Sequence, residues 1–375
     1  MHNPAVLHII TKLDLGGAQK SCLALIQELQ QNYPNFDVYF ISGTQGELIA
    51  NTKTLKNVYL LDSMLWELNP RNFWAELKNF YQIITIMRQI KNKHDNVIVH
   101  THTIKAGTIG RWAALFAGIK HRVHTIHGFS FNLYQNKLIW LFFYLIELFN
   151  SLITTHFICV SSQDLKAGSE IFPFFNQKAS IIRAATLAKK TTPLPSFGAA
   201  KRPPHTTTIG TIASLKTGKN LFDLLKSFKY ATDKLKRVQL EIIGDGPLRP
   251  YLETYLLNNK LHNQVKILGW VPSPAQHTKN WDAFIFTSLW EGLPCAVVEM
   301  IDSGIPTFSY NVGGISDLID KSKLFYHGKW VTLITEIIET QSYPPKTKLT
   351  SLSQDFYIPK MALDHANLYK QLFSQ

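Results

Sequence analysis

Two glutamates, Glu291 and Glu299, stand eight positions apart in the segment TSLWEGLPCAVVEMIDSG, which covers residues 287–304. The pattern predicts that Glu291 lies in a loop after a strand. Pro294 suits the first turn of the helix that follows, and Glu299 then projects from the second turn of that helix. Carboxylates accept hydrogen bonds from hydroxyl groups, so the pair suits a polyhydroxylated ligand. Two unrelated glutamates near the start of a helix are the alternative.

The start of the same predicted helix suits a phosphate, because the first N–H groups of a helix have no acceptor within it. Here these N–H groups belong to Gly292, Leu293, Cys295 and Ala296. Lys219, at the end of the segment SLKTGK, precedes another predicted helix and can neutralise a phosphate; a solvated lysine is the alternative. A ligand that presents sugar hydroxyls, a phosphate and a ribose in this order is a nucleotide sugar. The segment therefore predicts a nucleotide-sugar site.

Glycine and histidine follow three predicted strands of the first half. Gly16 and Gly17 would let a ligand approach the backbone at the start of a helix, unless they form an ordinary turn. His100 and His102 have a spacing that could bind a metal, but no Cys, Asp or Glu lies close in sequence to complete the set. We therefore predict a polar loop and no metal there. His127 is either functional or a structural histidine.

Short β-rich segments alternate with helical patterns along the chain, which predicts an α/β fold with parallel sheets. A stretch rich in Thr, Pro and Lys at 186–207 predicts a linker between two domains, at 1–185 and 208–354. We expect a final helix within 355–375 to pack back on the first domain. The predicted strands lie at 6–10, 37–41, 58–60, 96–100, 123–126 and 157–160, and at 208–212, 239–243, 265–267, 283–287 and 307–310.

The composition is that of a globular chain, with 375 residues, 45% apolar residues and 17% charged residues. The net charge of +13 attracts nucleic acid, anionic lipid or phosphorylated substrates. No nucleic-acid motif accompanies the charge, so we predict a membrane surface and an anionic substrate as partners. The three cysteines, Cys22, Cys159 and Cys295, predict neither a disulfide framework nor a zinc site, and a reducing compartment is the simplest interpretation.

An apolar segment, Leu138–Phe149, is shorter than the roughly 20 residues that span a bilayer and contains Glu147. We predict a buried helix here, with a helix lying on a membrane surface as the alternative. The N-terminal residues predict no signal peptide.

The order of these motifs resembles the family 4 glycosyltransferases, a retaining family with the GT-B fold, over nearly the whole chain. Glu291 and Glu299 match its E-x7-E signature, and Gly313-Gly314 matches the segment after that signature. Asp245-Gly246-Pro247 matches the family's G-D-G-P turn. The stretches HTHTIKAGTIGRWAALFAGI, HTIHGFSF and LNPR, which begin at residues 100, 124 and 68, resemble the bacterial subgroup that builds capsular, exopolysaccharide and O-antigen chains.

The resemblance implies two Rossmann-like domains facing a central cleft. It implies transfer of a hexose or N-acetylhexosamine from a nucleotide sugar, by default a UDP-sugar, to a lipid-linked saccharide. It implies no metal and no cofactor, because a basic side chain and helix N-termini stabilise the leaving diphosphate. The protein would then act in the cytoplasm, peripherally on the inner face of the cytoplasmic membrane.

The resemblance also implies residue roles. His127 and Glu291 would be catalytic: His127 would contact the donor sugar and Glu291 would bind its hydroxyls. Lys219 would hold the diphosphate, Val271 would lie against the base, and Glu299 would bind the ribose. The other donor-binding residues implied are Gly16, Gly17, Gly292, Leu293, Pro294 and Cys295. The residues implied at the acceptor or the cleft are His102, Lys105, Arg183 and Lys216.

The chain departs from the family pattern at two positions. Ser214 stands where the family has an arginine, and the neighbouring Lys216 lacks the bidentate fork of arginine. Arg183 stands in a segment, IIRAA, that replaces the family's usual turn before the linker. The alternative function is therefore a catalytically weak or inactive nucleotide-sugar-binding subunit.

Overall fold

The computed structural model describes residues 3–62, 64, 73–132, 134–188, 206–234, 238–271, 274–319, 324–325 and 352–375. The chain divides into two compact units, of which unit 1 comprises Met1–Lys189 with Gln354–Gln375 and unit 2 comprises Lys190–Ser353. The LNPR motif at 68–71 lies outside the described residues, as does the predicted linker over 189–205.

Unit 1 contains a seven-stranded sheet in which every ladder is parallel. Its order, β3-β2-β1-β4-β5-β6-β7, reverses direction between β1 and β4, which is the Rossmann arrangement. The strands are β1 (Ala5–Ile9), β2 (Asp37–Gly43), β3 (Val58–Leu61), β4 (Val97–His102), β5 (His121–Ile126), β6 (His156–Cys159) and β7 (Ala179–Ile181).

In the described part of unit 1, five helices connect these strands, because parallel neighbours need a crossover. They are α1 (Gly17–Asn32), α2 (Phe73–Lys93), α3 (Ile104–Phe116), α4 (Lys137–Ile153) and α5 (Ser162–Ile171). Short 3-10 helices lie at Glu47–Thr54 and Phe175–Lys178.

Unit 2 repeats the arrangement with six parallel strands in the order β10-β9-β8-β11-β12-β13. The strands are β8 (Thr207–Ile212), β9 (Val238–Ile243), β10 (Val265–Gly269), β11 (Ala283–Phe286), β12 (Thr307–Tyr310) and β13 (Leu324–Phe325). The helices among the described residues of unit 2 are α6 (Leu221–Lys234), α7 (Arg249–Asn258), α8 (Pro274–His277) and α9 (Cys295–Asp302), with 3-10 helices at Thr217–Lys219, Thr278–Asn280 and Gly313–Asp317.

The final helix, α10 (Ile358–Phe373), belongs to unit 1 and packs beside α1. Its buried residues Met361, Ala366 and Tyr369 join the core that includes Val6 and Ile10 near β1. A second core lies among β1, β2, β4, α2 and α3. The sheet of unit 1 is thus covered by helices on both faces, as a parallel sheet requires.

The α/β fold class and the two Rossmann-like sheets predicted from the alternating pattern are confirmed. The pattern did not predict β7 or β13, which have only three and two residues. Strands this short leave little hydrophobic periodicity to detect.

The prediction of a buried helix at Leu138–Phe149 is only partly correct, because one side of the helix is buried and the other is exposed. In α4 the buried residues are the polar Glu147, Asn150 and Ser151, while Leu138 and Leu152 are 76% and 74% exposed. The cause is Arg111 of α3, which is fully buried and forms an ion pair with Glu147 at 3.2 Å. A buried guanidinium needs a counter-charge, so Glu147 faces inward. Four further residues of α4 are partly buried and pack against the hydrophobic cluster that includes Phe131 and Phe172: Trp140, Phe143, Tyr144 and Leu148. The remaining apolar residues of α4 face outward.

Within the described residues, none of the helices is both long enough and apolar enough to cross a bilayer.

Candidate active site

Two of the residues predicted to bind a donor, Lys219 and Glu291, meet in unit 2 where its strand order reverses. Lys219, after β8, forms an ion pair with Glu291, which follows β11. The Lys219 ammonium also lies 5.7 Å from the centre of the Phe286 ring. Because β8 and β11 are adjacent parallel strands, their carboxyl ends open into neighbouring loops. The two predicted side chains, 72 positions apart in sequence, are therefore in contact.

Backbone contacts hold these two loops together. The hydroxyl of Thr287 donates to the carbonyl of Lys219 at 2.8 Å, and the N–H of Leu289 donates to the carbonyl of Gly218 at 2.9 Å. A Cβ at Gly218 would lie 2.6 Å from the Trp290 ring, so the ring packs directly against this glycine. The pair is thus positioned by its backbone as well as by its charges.

The Gly313-Gly314 turn after β12 supports the Glu291 loop from the other side. The N–H of Gly314 donates to the carbonyl of Gly292 at 2.5 Å. Gly313 has φ +53°, and a Cβ there would lie 2.0 Å from the carbonyl oxygen of Glu291. Only glycine combines this conformation with this contact.

Helix α9 begins directly after the loop, at Cys295. Pro294 is its N-cap residue, and no side chain caps the helix start. Leu293 and Cys295 are buried, whereas Glu299 is half-buried on the second turn. An uncapped helix start beside Lys219 is an arrangement that attracts anions.

The remaining predicted positions of unit 2 lie in the adjoining loops. Val271 is half-buried just after β10. Lys216 is exposed in the loop after β8, and its N–H donates to the carbonyl of Ser214 at 2.8 Å. Ser214 itself is half-buried.

In unit 1, His127 follows β5 and lines a cavity of about 200 Å³. Thr103, Phe129 and Ser130 line the same cavity. His127 is half-buried, and its Nε2 lies 3.2 Å from Nδ1 of His102, the buried last residue of β4. The structure thus brings two of the predicted residues of unit 1 into contact.

Thr103 is a residue of this cavity that the sequence did not indicate. It precedes α3 with φ +65° and ψ 157°, a region that L-residues rarely adopt. Its hydroxyl lies 3.2 Å from the hydroxyl of Thr11, which also accepts the N–H of Ala106. The residue type does not predict such a conformation, because the surrounding packing imposes it.

His8 is the second residue that the sequence argument missed, although a histidine within an apolar strand was a usable signal. The ladder between β1 and β4 pairs His8 with His100, and His8 Nδ1 lies 3.2 Å from His102 Nε2. The side chains of His8, His100 and His102 lie close enough to hold a metal ion.

Hydrogen bonds already occupy most of the nitrogens of this cluster. His100 lies 2.6 Å from the hydroxyl of Tyr369 and 2.6 Å from that of Thr125. Both nitrogens of His102 face other imidazoles. A metal would have to break these contacts, so the cluster fits a hydrogen-bonded network better than a ligand set.

The network is uncharged at neutral pH. Burial lowers the pKa of His127 to about 4, and the charge of His365 adds to the effect. Burial likewise lowers the pKa of His8 to about 3, and it holds the pKa of His102 well below its usual value. Neutral imidazoles carry one donor and one acceptor each.

The other predicted residues of unit 1 have partners of their own. Lys105 is buried and forms an ion pair with Glu76 of α2. Arg183 donates to the carbonyl of Val160 at 3.3 Å and, with His102 and His127, lines a small cavity. Gly16 and Gly17 lie at the start of α1, which no side chain caps.

Both halves of the chain match models of glycosyltransferases. The model described as "Glycosyltransferase Family 4" matches residues 15–183, and "Glycosyl transferases group 1" matches residues 197–344. The chain is therefore a glycosyltransferase that consists of a family 4 domain followed by a group 1 domain. This glycosyltransferase has the GT-B fold.

Curated relatives of the glycosyltransferase include an Escherichia coli protein named UDP-Gal:alpha-D-GlcNAc-diphosphoundecaprenol alpha-1,3-galactosyltransferase. It is 28% identical over 326 residues, which cover 84% of this chain and 81% of the relative. A putative glycosyltransferase of Bacillus subtilis, EpsF, is 25% identical over 80% of this chain and 77% of its own length.

Among solved structures, Anabaena HepE in complex with UDP and glucose superimposes with a TM-score of 0.78 at 16% identity. The match covers 98% of this chain and all of HepE. At this identity the likeness establishes the fold of the glycosyltransferase.

Proposed function

We propose that this glycosyltransferase transfers a hexose or N-acetylhexosamine from a UDP-sugar to a lipid-linked saccharide, with retention of anomeric configuration, in cell-surface polysaccharide biosynthesis. The observation that carries the proposal is the pair of Lys219 and Glu291 beside the uncapped start of α9. It combines a cation and the start of a helix for phosphate with a carboxylate for sugar hydroxyls.

The chemistry follows from these groups. As the donor binds, Lys219 exchanges part of its contact with Glu291 for the diphosphate, and Glu291 accepts hydrogen bonds from hydroxyls of the transferred sugar. The charge that develops on the leaving UDP is then stabilised by Lys219 and the N–H groups at the start of α9. Glu299 accepts the ribose hydroxyls and Val271 packs against the base. We propose that this stabilisation needs no metal ion.

The acceptor and donor classes rest on the relatives. The name of the Escherichia coli relative specifies UDP-galactose and a saccharide on undecaprenyl diphosphate. The HepE structure was solved with UDP and glucose. These names support a UDP-hexose donor and a diphospholipid acceptor for this chain.

A lipid-linked acceptor requires access to a membrane, and α4 supplies a suitable surface in unit 1. We call its outward side the α4 apolar face: it consists of Leu138, Ile139, Leu141, Phe142, Leu145, Phe149 and Leu152, all exposed. The chain carries a net charge of +13, which favours a bilayer with anionic lipids. We propose that this face lies in the headgroup region of such a bilayer.

Calorimetric titration with UDP, GDP and their sugars tests the donor site. We expect micromolar binding of a UDP-sugar to the wild type, and loss of that binding in Glu299→Ala. The matched control is Glu253→Ala, an exposed glutamate of α7 in the same unit. No binding of any nucleotide to the wild type would contradict the proposal.

Transfer to lipid is measured with labelled UDP-sugars and a saccharide on undecaprenyl diphosphate. Transfer with an α-linked product from the α-linked donor supports the proposal, and an inverted product contradicts retention. Binding without turnover on any acceptor would favour the alternative, a nucleotide-sugar-binding subunit. Ser214, which stands in place of an arginine, is the observation behind that alternative.

A further inference from the structure

Three histidines form a hydrogen-bonded chain from the cavity of unit 1 into its core. His127 Nε2 lies 3.2 Å from His102 Nδ1, and His102 Nε2 lies 3.2 Å from His8 Nδ1. The ring planes of His102 and His8 are 18° apart, and those of His102 and His127 are 34° apart. Exposure falls along the chain from the half-buried His127 to His8, which is fully buried.

The protons of this chain are coupled. A neutral imidazole has one N–H and one lone pair, so each ring can donate to one neighbour and accept from the other. The two hydrogen bonds are both made only if all three rings point their N–H groups in the same direction. Two arrangements satisfy this rule. In one, all three protons are on Nδ1, and in the other all three are on Nε2.

The buried end decides between the two arrangements. His8 Nε2 is buried and has no hydrogen-bond partner among the described residues. If Nε2 carried the proton, a buried N–H would be left without an acceptor, which is rarer in proteins than an acceptor without a donor. The proton of His8 therefore lies on Nδ1 and is donated to His102, whose own proton is donated from Nδ1 to His127 Nε2.

We propose that His8 and His102 are positioning residues for His127, because they fix its proton on Nδ1 and so make it a hydrogen-bond donor towards a bound ligand. For a sugar-nucleotide ligand, the acceptor is a hydroxyl or phosphate oxygen. The identity of that ligand rests on the proposed function, whereas the tautomer of His127 does not. Helix α10 helps to enclose the network, since its residues His365 and Tyr369 pack against His100, which lies beside the three histidines.

Nuclear magnetic resonance of protein labelled with ¹⁵N-histidine tests the tautomer without any assay of activity. His127→Gln assigns the resonance. At pH 7.5 we expect Nδ1 of His127 to carry the proton and Nε2 to be an acceptor, and His102→Leu to give a mixture of tautomers. His102→Asn keeps an N–H near the position of Nδ1 and should retain the wild-type tautomer. A proton on Nε2, or a charged ring, in the wild type would overturn the proposal.

Metal analysis of the same samples is a second decisive measurement. We expect the purified protein to contain no stoichiometric transition metal. A metal bound in a one-to-one ratio and lost in His8→Leu would overturn the proposal, because a ligated cluster cannot form this hydrogen-bonded chain.

Kinetics then tests whether His8 and His102 act through His127. We expect His102→Leu to lower kcat for sugar transfer about tenfold, the effect of one hydrogen bond, with little change in KM for the donor. His102→Asn should recover most of the loss. The double variant His102→Leu with His127→Gln should be no slower than His127→Gln alone, because the effect is transmitted through His127. If the losses in kcat of the two single variants multiply in the double variant, His102 does not act through His127 and the proposal is overturned.

His94 supplies the matched control, a buried histidine of unit 1 bonded to Tyr39 and to the carbonyl of Asn3. His94→Leu should lower thermal stability while leaving kcat unchanged. If the wild type transfers no sugar at all, the proposed function fails, and the resonance of His127 still decides the tautomer.

Discussion

Lys219 and Glu291 form an ion pair in unit 2 between the loops that follow two adjacent parallel strands, β8 and β11. Each was singled out from the sequence for a different part of one ligand, the lysine for phosphate and the glutamate for sugar hydroxyls. Their contact means that a single donor can engage both. It also means that each side chain keeps the other in place until the donor arrives.

Removal of either partner should therefore impair transfer more than folding. We expect Lys219→Ala to lower kcat by roughly 100-fold, since it removes one stabilising charge from the leaving diphosphate. Glu291→Gln should lower kcat/KM for the sugar nucleotide while binding of UDP alone is largely retained. Steady-state kinetics and calorimetry measure the two effects. Lys226→Ala, on α6 of the same unit, is the control, and an equal loss in that variant would contradict a local role.

Gly313→Ala tests whether backbone packing holds the Glu291 loop. The new Cβ would lie 2.0 Å from the carbonyl of Glu291, so the loop must move. We expect donor binding to weaken at least tenfold, together with a stability cost of about 1–2 kcal/mol from the left-handed conformation. Gly118→Ala is the matched control, because Gly118 also has positive φ but its Cβ would meet only the end of Lys91. Unchanged donor binding in Gly313→Ala would refute the supporting role.

The buried pair of Arg111 and Glu147 should matter most when only one partner is removed. Glu147→Leu leaves an uncompensated guanidinium in the core, and we expect it to cost about 3–5 kcal/mol of unfolding free energy. The double variant Arg111→Met with Glu147→Leu should cost much less, because no buried charge remains. Urea unfolding of both variants measures the difference. A double variant less stable than Glu147→Leu would contradict this account.

Acid should destabilise unit 1 through its buried histidines. The pKa of His8 is lowered from 6.5 to about 3, and burial likewise lowers the pKa of His365 to about 4. Between pH 6.5 and about 4 the unfolded chain binds more protons than the folded chain, so the free energy of unfolding falls as the pH is lowered. Each such group contributes up to about 1.4 kcal/mol per pH unit.

Urea unfolding at a series of pH values from 7.5 to 4.5 checks this dependence. His365→Leu removes one titrating group and should make the dependence shallower by up to one proton. A stability that does not change over this interval, or rises on acidification, would show that these histidines are charged in the folded protein.

The α4 apolar face should bind anionic bilayers. We expect the wild type to float with vesicles of phosphatidylglycerol and phosphatidylethanolamine, and the double variant Phe142→Ser with Phe149→Ser to remain largely in the bottom fraction. Leu257→Ser is the control, since Leu257 is equally exposed but lies on α7 of unit 2. Equal flotation of both variants would assign membrane binding to another surface. High salt should weaken the binding, because part of the attraction is electrostatic.

The sequence by itself determined the fold class, most strands and helices, and the family. These follow from local information: the period of apolar residues, the turn residues and the spacing of motifs such as Glu291 and Glu299. It also determined that Lys219 precedes a helix and Glu291 follows a strand, since both statements concern neighbours in the chain.

Only the tertiary structure decided what those side chains touch. The burial of Glu147 on α4 depends on Arg111, a buried charge 36 positions away, and no local pattern carries that information. The conformation of Thr103 and the contact of His8 with His102 likewise arise from strands brought together by sheet order. Hydrophobic periodicity shows which residues lie on one face of an element. Pairing between distant polar groups decides which polar residues are buried as well, because a buried charge or N–H must find its partner wherever the fold provides one.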